Sequence, residues 1–257
     1  MPGPNQKNPW IAFRRGGPAT RARLFCFPYA GAGASVFRLW GDHLSPEFEV
    51  IGVQPPGREE RLRDELFLRI EPMVESVASH LSGELTPPFA FFGHSMGSIL
   101  AYELACLLRR NGLPQPVHIF ASGRRGPQVP RRYEPFHELP DDQFIQRLRQ
   151  LNGTPEELFQ HAELLAFILP TLKADFAVCE NYLYRGDERL DCPVTGLGGL
   201  DDPDISREDV SAWGAITRGR FRAEMFVGDH FFLNTSRSAV LAAVAADLRK
   251  TLLSRAG

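Results

Sequence analysis

A serine lies at the centre of the segment Gly93-His94-Ser95-Met96-Gly97, which follows an apolar run, Phe89 to Phe92, and precedes a helical pattern ending at Arg110. A serine on a tight strand-to-helix turn is typical of a nucleophile elbow, where small flanking residues avoid collision with the adjoining backbone. The helix behind the turn lends positive potential to a developing oxyanion. The pattern therefore predicts nucleophilic attack by Ser95 on a carbonyl group. The alternative is a chance G-x-S-x-G in a turn, which the strand and helix context disfavours.

Such a serine needs a base, and the base needs an acid that orients it. In α/β hydrolases the chain order is serine, acid, histidine, with the histidine in the loop after the last strand. His230, in Gly228-Asp229-His230-Phe231-Phe232, directly follows the last predicted strand. The other six histidines fall in helix or strand patterns, inside the elbow, or in a segment without a second metal-binding histidine. His230 is therefore the candidate base.

Two adjacent carboxylates compete for the role of the acid. The segment Gly198-Gly199-Leu200-Asp201-Asp202-Pro203 follows the late strand predicted over Pro193 to Leu197. We favour Asp202, because Gly199 to Asp202 fits the common spacing G-x-x-D of the acid turn. Asp201 stays open as the alternative, since one residue of register lies within the error of sequence-based prediction.

The oxyanion hole requires two backbone N–H donors, one from the residue after the serine and one from a loop after an early strand. Met96 and Ala30 fit these positions, and the loop from Pro28 to Ala34 contains small residues that allow the backbone to approach a reacting carbonyl. A dinucleotide-binding loop is the alternative. However, Val36 occupies the third glycine position of G-x-G-x-x-G, and no acidic residue ends the next predicted strand, so we expect no Rossmann cofactor.

Apolar runs and helical patterns alternate along the chain, which predicts an α/β fold with a mostly parallel sheet flanked by helices. The predicted strands are Leu24 to Pro28, Glu49 to Gln54, Phe89 to Phe92, Val117 to Ser122, Pro193 to Leu197 and Arg222 to Val227. The predicted helices are Ser35 to Leu44, Ile70 to Leu85, Met96 to Arg110, Asp141 to Leu151, Pro155 to Phe159, His161 to Tyr184 and Ser236 to Leu253.

The alternation stops over residues 124–191, where helical patterns follow one another with no strand between them. We interpret this segment as a helical insertion in a single α/β domain that spans residues 1–257. Residues 1–20 contain much Pro, Gly and Arg, and we expect a flexible N-terminal segment there.

Composition sets limits on the function classes. The chain has 257 residues, of which 43% are hydrophobic and 23% charged, as in ordinary globular proteins. A formal net charge of −2 gives no general attraction to nucleic acid. The four cysteines form no C-x-x-C pair, which favours a reduced, cytoplasmic protein. No run approaches the roughly eighteen apolar residues of a membrane span, so no membrane association is expected.

Four segments together carry a family resemblance: Phe27-Pro28-Tyr29-Ala30-Gly31-Ala32-Gly33, Gln54-Pro55-Pro56-Gly57-Arg58, the elbow around Ser95, and the Gly228 to Phe232 segment. From about Arg23 to Leu253 the chain resembles the external, or type II, thioesterases that accompany polyketide synthases and nonribosomal peptide synthetases. The elbow is shared with many hydrolases, whereas P-Y-A-G-A-G and P-P-G-R are much more particular to this family.

The resemblance implies hydrolysis of acyl or aminoacyl groups from the 4'-phosphopantetheine arm of an acyl or peptidyl carrier protein, as an editing step in antibiotic biosynthesis. It implies Ser95 as nucleophile, His230 as base, Asp202 as acid, and Ala30 with Met96 as oxyanion donors. It also implies that residues 124–191 are a helical lid insertion in a single α/β-hydrolase domain. No metal or other cofactor is expected, and we expect a monomer. The alternatives are a general carboxylester hydrolase or acyltransferase with the same triad and, outside enzymes, an inactive binding module.

Four arginines, Arg124, Arg125, Arg131 and Arg132, lie within nine residues of a chain otherwise balanced in charge. They follow the predicted strand that ends at Ser122, so they should emerge on the same side of the sheet as Ser95. Carrier proteins resemble one another in being acidic around the phosphopantetheine, whose phosphate arginine can bind bidentately. This cluster is therefore a candidate docking site, and the alternative is a solvated loop whose charges do little.

Overall fold

The computed structural model describes residues 8–44, 46–150, 161–186 and 188–256. Seven strands lie in these ranges: β1 (Ile11–Arg15), β2 (Ala22–Phe27), β3 (Phe48–Val53), β4 (Phe89–His94), β5 (Ile119–Ser122), β6 (Val194–Gly199) and β7 (Phe221–Phe226). They form one sheet in the order β1-β3-β2-β4-β5-β6-β7. β1 pairs antiparallel with β3, and the other neighbouring pairs are parallel.

The α-helices of the described residues pack around this sheet or lie beyond its edge. They are α1 (Trp40–Leu44), α2 (Ile70–Leu81), α3 (Met96–Arg110), α4 (Asp141–Gln150), α5 (Ala162–Glu180), α6 (Arg207–Ser211), α7 (Phe232–Thr235) and α8 (Arg237–Ala256). The mostly parallel sheet flanked by helices is as predicted. None of the described helices has the length and apolar character that crossing a membrane requires.

The sheet is covered on both faces, which explains why strand β4 is buried along its whole length. Side chains alternate along a strand, so Phe89 and Phe91 lie on one face and Ala90 and Phe92 on the other. The first face packs against α2 and α3. The second packs against Trp40 of α1 and the apolar side of α8. The carboxyl ends of the central strands are thereby fixed at one edge of the sheet, where the elbow begins.

The segment between β5 and β6 contains α4 and α5, and its described residues include no strand. A separate apolar cluster holds these helices together, with Phe136, Phe144, Leu148, Leu165, Leu169 and Leu172 buried in it. The helix predicted over Pro155 to Phe159 lies outside the described residues. That residues 124–191 act as a lid of one domain stays a prediction.

Two local predictions need correction. Residues 11–15, inside the segment expected to be flexible, form β1, because buried Trp10 and Ile11 anchor them and Trp10 Nε1 donates to Ser76 Oγ at 3.2 Å. The helix predicted over Ser35 to Leu44 is instead a 3₁₀ turn, Ala34–Phe37, followed by the short α1. Long-range contacts hold this segment at both ends, since the Ala34 N–H donates to Gln54 Oε1 at 2.9 Å and the ring of Trp40 lies 4.5 Å from that of Phe92.

Candidate active site

Ser95 lies on the turn between β4 and α3 with φ 51° and ψ −110°, a conformation that residues other than glycine rarely adopt. A Cβ on Gly93 would lie 2.1 Å from the carbonyl oxygen of Gly97, and a Cβ on Gly97 would lie 2.1 Å from that of Phe27. The turn therefore requires both glycines. The Ser95 N–H donates to the Ser122 carbonyl at 2.8 Å, which fixes the strained turn against β5. Strain held in this way is typical of functional sites.

His230 follows β7 and pairs with a carboxylate, as the chain order predicts. Its Nδ1 lies 2.7 Å from Asp202 Oδ2. The Asp202 side chain is 1% exposed, and its Oδ1 accepts the N–H groups of Asp204 at 3.0 Å and Ile205 at 3.2 Å. With Nδ1 occupied by the carboxylate, Nε2 is the nitrogen of His230 that can take up a proton.

Asp201, the alternative acid, has a different environment. It is exposed, and its Oδ2 accepts the Gly228 N–H at 3.2 Å, which ties the ends of β6 and β7 together. The structure thus pairs His230 with Asp202 and gives Asp201 a role in the turn.

His94 of the elbow lies behind the candidate base. Its side chain is fully buried, with Nδ1 2.9 Å from Ser122 Oγ and the ring 5.1 Å from that of His230. Burial, together with the charge that His230 can carry, holds the pKa of His94 well below its usual range. His94 is therefore neutral, and it does not repel a proton on His230.

The loop from Pro28 to Ala34 begins at the end of β2 and passes beside Ser95. Gly31 has φ +79° and its N–H donates to Asp175 Oδ2 at 2.7 Å, while the Ala34 N–H donates to Gln54 Oε1 at 2.9 Å. Met96 is the first residue of α3, so its N–H has no partner within the helix. Ala30 and Ser95 line the same cavity.

This cavity has a volume of about 630 Å³ and opens above the carboxyl ends of the strands. Ser95 and His230 lie in its wall together with Tyr29 and Ala30, and Leu172, Phe176 and Leu183 supply apolar surface from the segment between β5 and β6. Within the described ranges, no group of three or more His, Cys, Asp or Glu side chains is arranged to hold a metal ion. The arrangement can hold an apolar acyl chain beside a serine and a histidine.

The four arginines predicted as a docking cluster have unequal surroundings. Arg125 is buried and donates to the carbonyls of Pro130 and Asp204, so its side chain is not available to a partner. Arg131 donates to the carbonyl of Glu180 at the end of α5. Arg132 is more than half exposed but makes a bidentate ion pair with Asp209, at 2.7 and 2.9 Å. The docking prediction needs correction for Arg125, whose charge stabilises the loop.

Comparison with known proteins identifies the family. A model of the thioesterase domain matches residues 22–250. The chain belongs to the thioesterase family.

Relatives of this thioesterase extend over nearly the whole chain. The gramicidin S biosynthesis protein GrsT of Aneurinibacillus migulanus is 42% identical over 248 residues, covering 96% of this chain and 97% of that protein. RedJ, a thioesterase from the prodiginine biosynthetic pathway in Streptomyces coelicolor, has a solved structure with TM-score 0.84 and 41% identity, covering 90% of this chain and 92% of that one. BorB, the type II thioesterase from the borrelidin biosynthetic cluster, gives TM-score 0.84 at 33% identity, covering 93% and 97%.

These findings confirm the resemblance, the α/β-hydrolase fold and the thioesterase activity that the resemblance implied. The protein is a thioesterase similar to the type II enzymes of polyketide and nonribosomal peptide synthesis, and it acts on acyl thioesters.

Several residues without a recognised sequence motif or an assigned role hold the site of this thioesterase together. Ser98 is buried, with Oγ 2.8 Å from the Gly93 carbonyl and 2.9 Å from that of Ser122, so it braces the elbow. Asp175 and Arg58 form a buried ion pair next to the Ala30 loop. The sequence does contain an indication for Asp175: it is an acidic residue among the apolar residues of α5, and a carboxylate buried there needs a partner.

Proposed function

We propose that this thioesterase releases acyl and aminoacyl groups from the phosphopantetheine arm of a carrier protein, with Ser95 as nucleophile, His230 as base and Asp202 as acid. The observation that carries the proposal is the 2.7 Å pairing of His230 Nδ1 with Asp202, beside a cavity that both His230 and Ser95 line. GrsT and RedJ are named for the biosynthesis of gramicidin S and of prodiginine, which supports a carrier-bound substrate.

In the acylation step, Ser95 Oγ attacks the thioester carbonyl carbon while His230 Nε2 accepts the hydroxyl proton. The N–H groups of Ala30 and Met96 donate to the oxyanion. When the tetrahedral intermediate collapses, the C–S bond breaks and His230 returns the proton to the leaving thiolate. The products are an acyl-serine and a free phosphopantetheine thiol.

In the deacylation step, a water molecule gives its proton to His230 and attacks the acyl-serine. Collapse of the second intermediate breaks the C–O bond to Ser95, which regains the proton and releases a carboxylic acid. The side chains, the substrate and water supply every proton and electron pair in these two steps, so the proposal includes no metal or redox cofactor.

The segment of residues 124–191 acts, in this proposal, as a lid over the acyl group. Leu172 and Phe176 of α5 face the cavity, and an apolar wall there excludes water from an acyl chain. The lid would therefore set which chains fit and would leave the chemistry at Ser95 unchanged.

A substrate panel tests the proposed function. One acyl group is offered on a carrier protein, on free pantetheine, and as the matching oxygen ester. We expect kcat/KM to fall at least about tenfold from the carrier to pantetheine, because binding energy from the remote carrier is lost. We expect a further fall for the oxygen ester, whose alkoxide is a poorer leaving group than a thiolate.

Release of the thiol and of the acid is measured in parallel, together with labelling by a fluorophosphonate. Equal or faster turnover of the oxygen ester would indicate a general carboxylester hydrolase. Thiol release without acid would indicate acyl transfer, and the absence of labelling would indicate a binding module.

Two of the four predicted arginines remain in the proposed docking surface. Arg124 lies at the cavity wall and Arg132 at the surface, where both can meet an acidic carrier.

Replacing both Arg124 and Arg132 by glutamine should lower kcat/KM for the acyl-carrier substrate several-fold and reduce its dependence on salt, since exposed charges mainly steer association. Turnover of acyl-pantetheine should fall less, because this substrate lacks the acidic surface of the carrier. Arg249→Gln is the matched control, because Arg249 is 54% exposed, close to the 59% of Arg132, and is also ion-paired. An equal effect on both substrates would contradict docking.

A further inference from the structure

The lid helix α5 carries a carboxylate that contacts the loop of the proposed oxyanion donor. Asp175 is 5% exposed, and its Oδ2 accepts the Gly31 N–H at 2.7 Å. Gly31 follows Ala30 directly in the chain. The lid helix therefore holds the backbone one residue away from the N–H that the mechanism assigns to the oxyanion hole.

Asp175 is itself held by Arg58, the arginine of the P-P-G-R segment. The guanidinium is 7% exposed and pairs bidentately, with Nη1 2.5 Å from Oδ2 and Nη2 2.8 Å from Oδ1. Its Nε donates to the Pro56 carbonyl at 2.9 Å and its Nη1 to the Ala32 carbonyl at 3.2 Å. Arg58 thus satisfies the carboxylate and binds a second point of the oxyanion loop.

Other contacts make the same connection between the lid helix and the two loops. Thr171, one turn before Asp175 on α5, donates from Oγ1 to the Gly57 carbonyl at 2.9 Å. A Cβ on Gly31 would lie 2.5 Å from Leu172 Cδ2, so the loop backbone and α5 are in close contact. The buried ion pair between Arg58 and Asp175 therefore connects the P-P-G-R segment, helix α5 and the loop that contains Ala30.

We propose that Asp175, fixed by Arg58, is a positioning residue that orients the Ala30 N–H toward the oxyanion. The proposal rests on the role of Ala30 in the proposed function. Hydrogen bonds to an oxyanion require donors about 2.7–3.1 Å away, and a misplacement of about 1 Å can reduce the rate about a hundredfold. An oxyanion loop that loses its anchor should therefore lose turnover while substrate binding changes little.

Two double variants test this without leaving a buried charge unpaired. Arg58→Met with Asp175→Leu removes the acceptor for the Gly31 N–H. Arg58→Gln with Asp175→Asn also removes both charges but keeps an amide oxygen for that N–H. We expect kcat on acyl-pantetheine to fall about a hundredfold in the first variant, with KM within threefold of wild type, and most of kcat to return in the second.

A second readout separates positioning from a structural role. A trifluoromethyl ketone analogue forms an oxyanion on the enzyme, whereas a thioether analogue has no carbonyl to attack. The Met/Leu variant should bind the ketone about a hundredfold more weakly and the thioether with unchanged affinity. The control is Arg222→Met with Asp247→Leu, which removes a more exposed ion pair between β7 and α8, away from the cavity. Its kcat and both affinities should match the wild type.

The proposal is overturned if the Met/Leu variant keeps kcat within threefold, if ketone and thioether affinities fall together, or if the Gln/Asn variant recovers nothing. If the Arg58→Met, Asp175→Leu variant does not fold, the double variant Arg58→Gln with Asp175→Ala is used in its place. These results are distinct from failure of the proposed function, in which the wild-type protein would not hydrolyse acyl-pantetheine.

Discussion

Replacing Ser95 by alanine should reduce kcat on acyl thioesters by about six orders of magnitude, because a triad without its nucleophile retains only the contributions of binding and the oxyanion hole. The fold should persist. The turn is fixed by backbone contacts, namely the Ser95 N–H to Ser122 and the close approach of Gly93 and Gly97 to neighbouring carbonyls, and alanine preserves all of them. Thiol release under single-turnover conditions, together with thermal unfolding, measures both effects.

Ser79→Ala is the control, since Ser79 is an exposed serine on α2 outside the cavity, and its turnover and fluorophosphonate labelling should equal those of the wild type. Labelling should disappear in Ser95→Ala. Residual activity within tenfold of wild type would show that another residue forms the covalent intermediate.

Asp202→Asn should lower kcat by about four orders of magnitude, as loss of the acid does in the serine protease triad. The reason lies in the second oxygen of Asp202, which accepts the N–H groups of Asp204 and Ile205. An asparagine would keep its oxygen there and turn its NH₂ toward His230. Nδ1 of His230 would then have to accept a hydrogen bond, which places the proton on Nε2 and removes the base.

Asp201→Asn is the matched variant one residue away. The amide oxygen of asparagine can still accept the Gly228 N–H, so the loss of kcat should stay within about tenfold. Both variants are compared on acyl-pantetheine at equal stability, measured by thermal unfolding. The reverse ranking would assign the acid to Asp201.

How far the sequence predicts this fold depends on the range of the interactions that determine each element. Helix α3 was predicted with its observed bounds, Met96–Arg110, since an apolar helical face and a terminal Asn-Gly are local signals. β1 was missed because its anchor, Trp10, is buried by contacts with residues far along the chain, including Ser76. The Pro, Gly and Arg residues around β1 are instead typical of a flexible segment.

The candidate active site likewise has features that local sequence determines and features that depend on long-range contacts. The sequence by itself determined the elbow and the place of His230 after the last strand, because glycine spacing and the order of elements along the chain are local features. The family came from the resemblance carried by the four motif segments. Only the tertiary structure decided that His230 pairs with Asp202 and not Asp201, that Arg125 is buried in its loop, and that Arg58 pairs with Asp175 across 117 positions of the chain. A one-residue choice in a turn, and a contact between helix α5 and a distant loop, depend on how the packed elements orient each side chain. No short window of sequence contains that information.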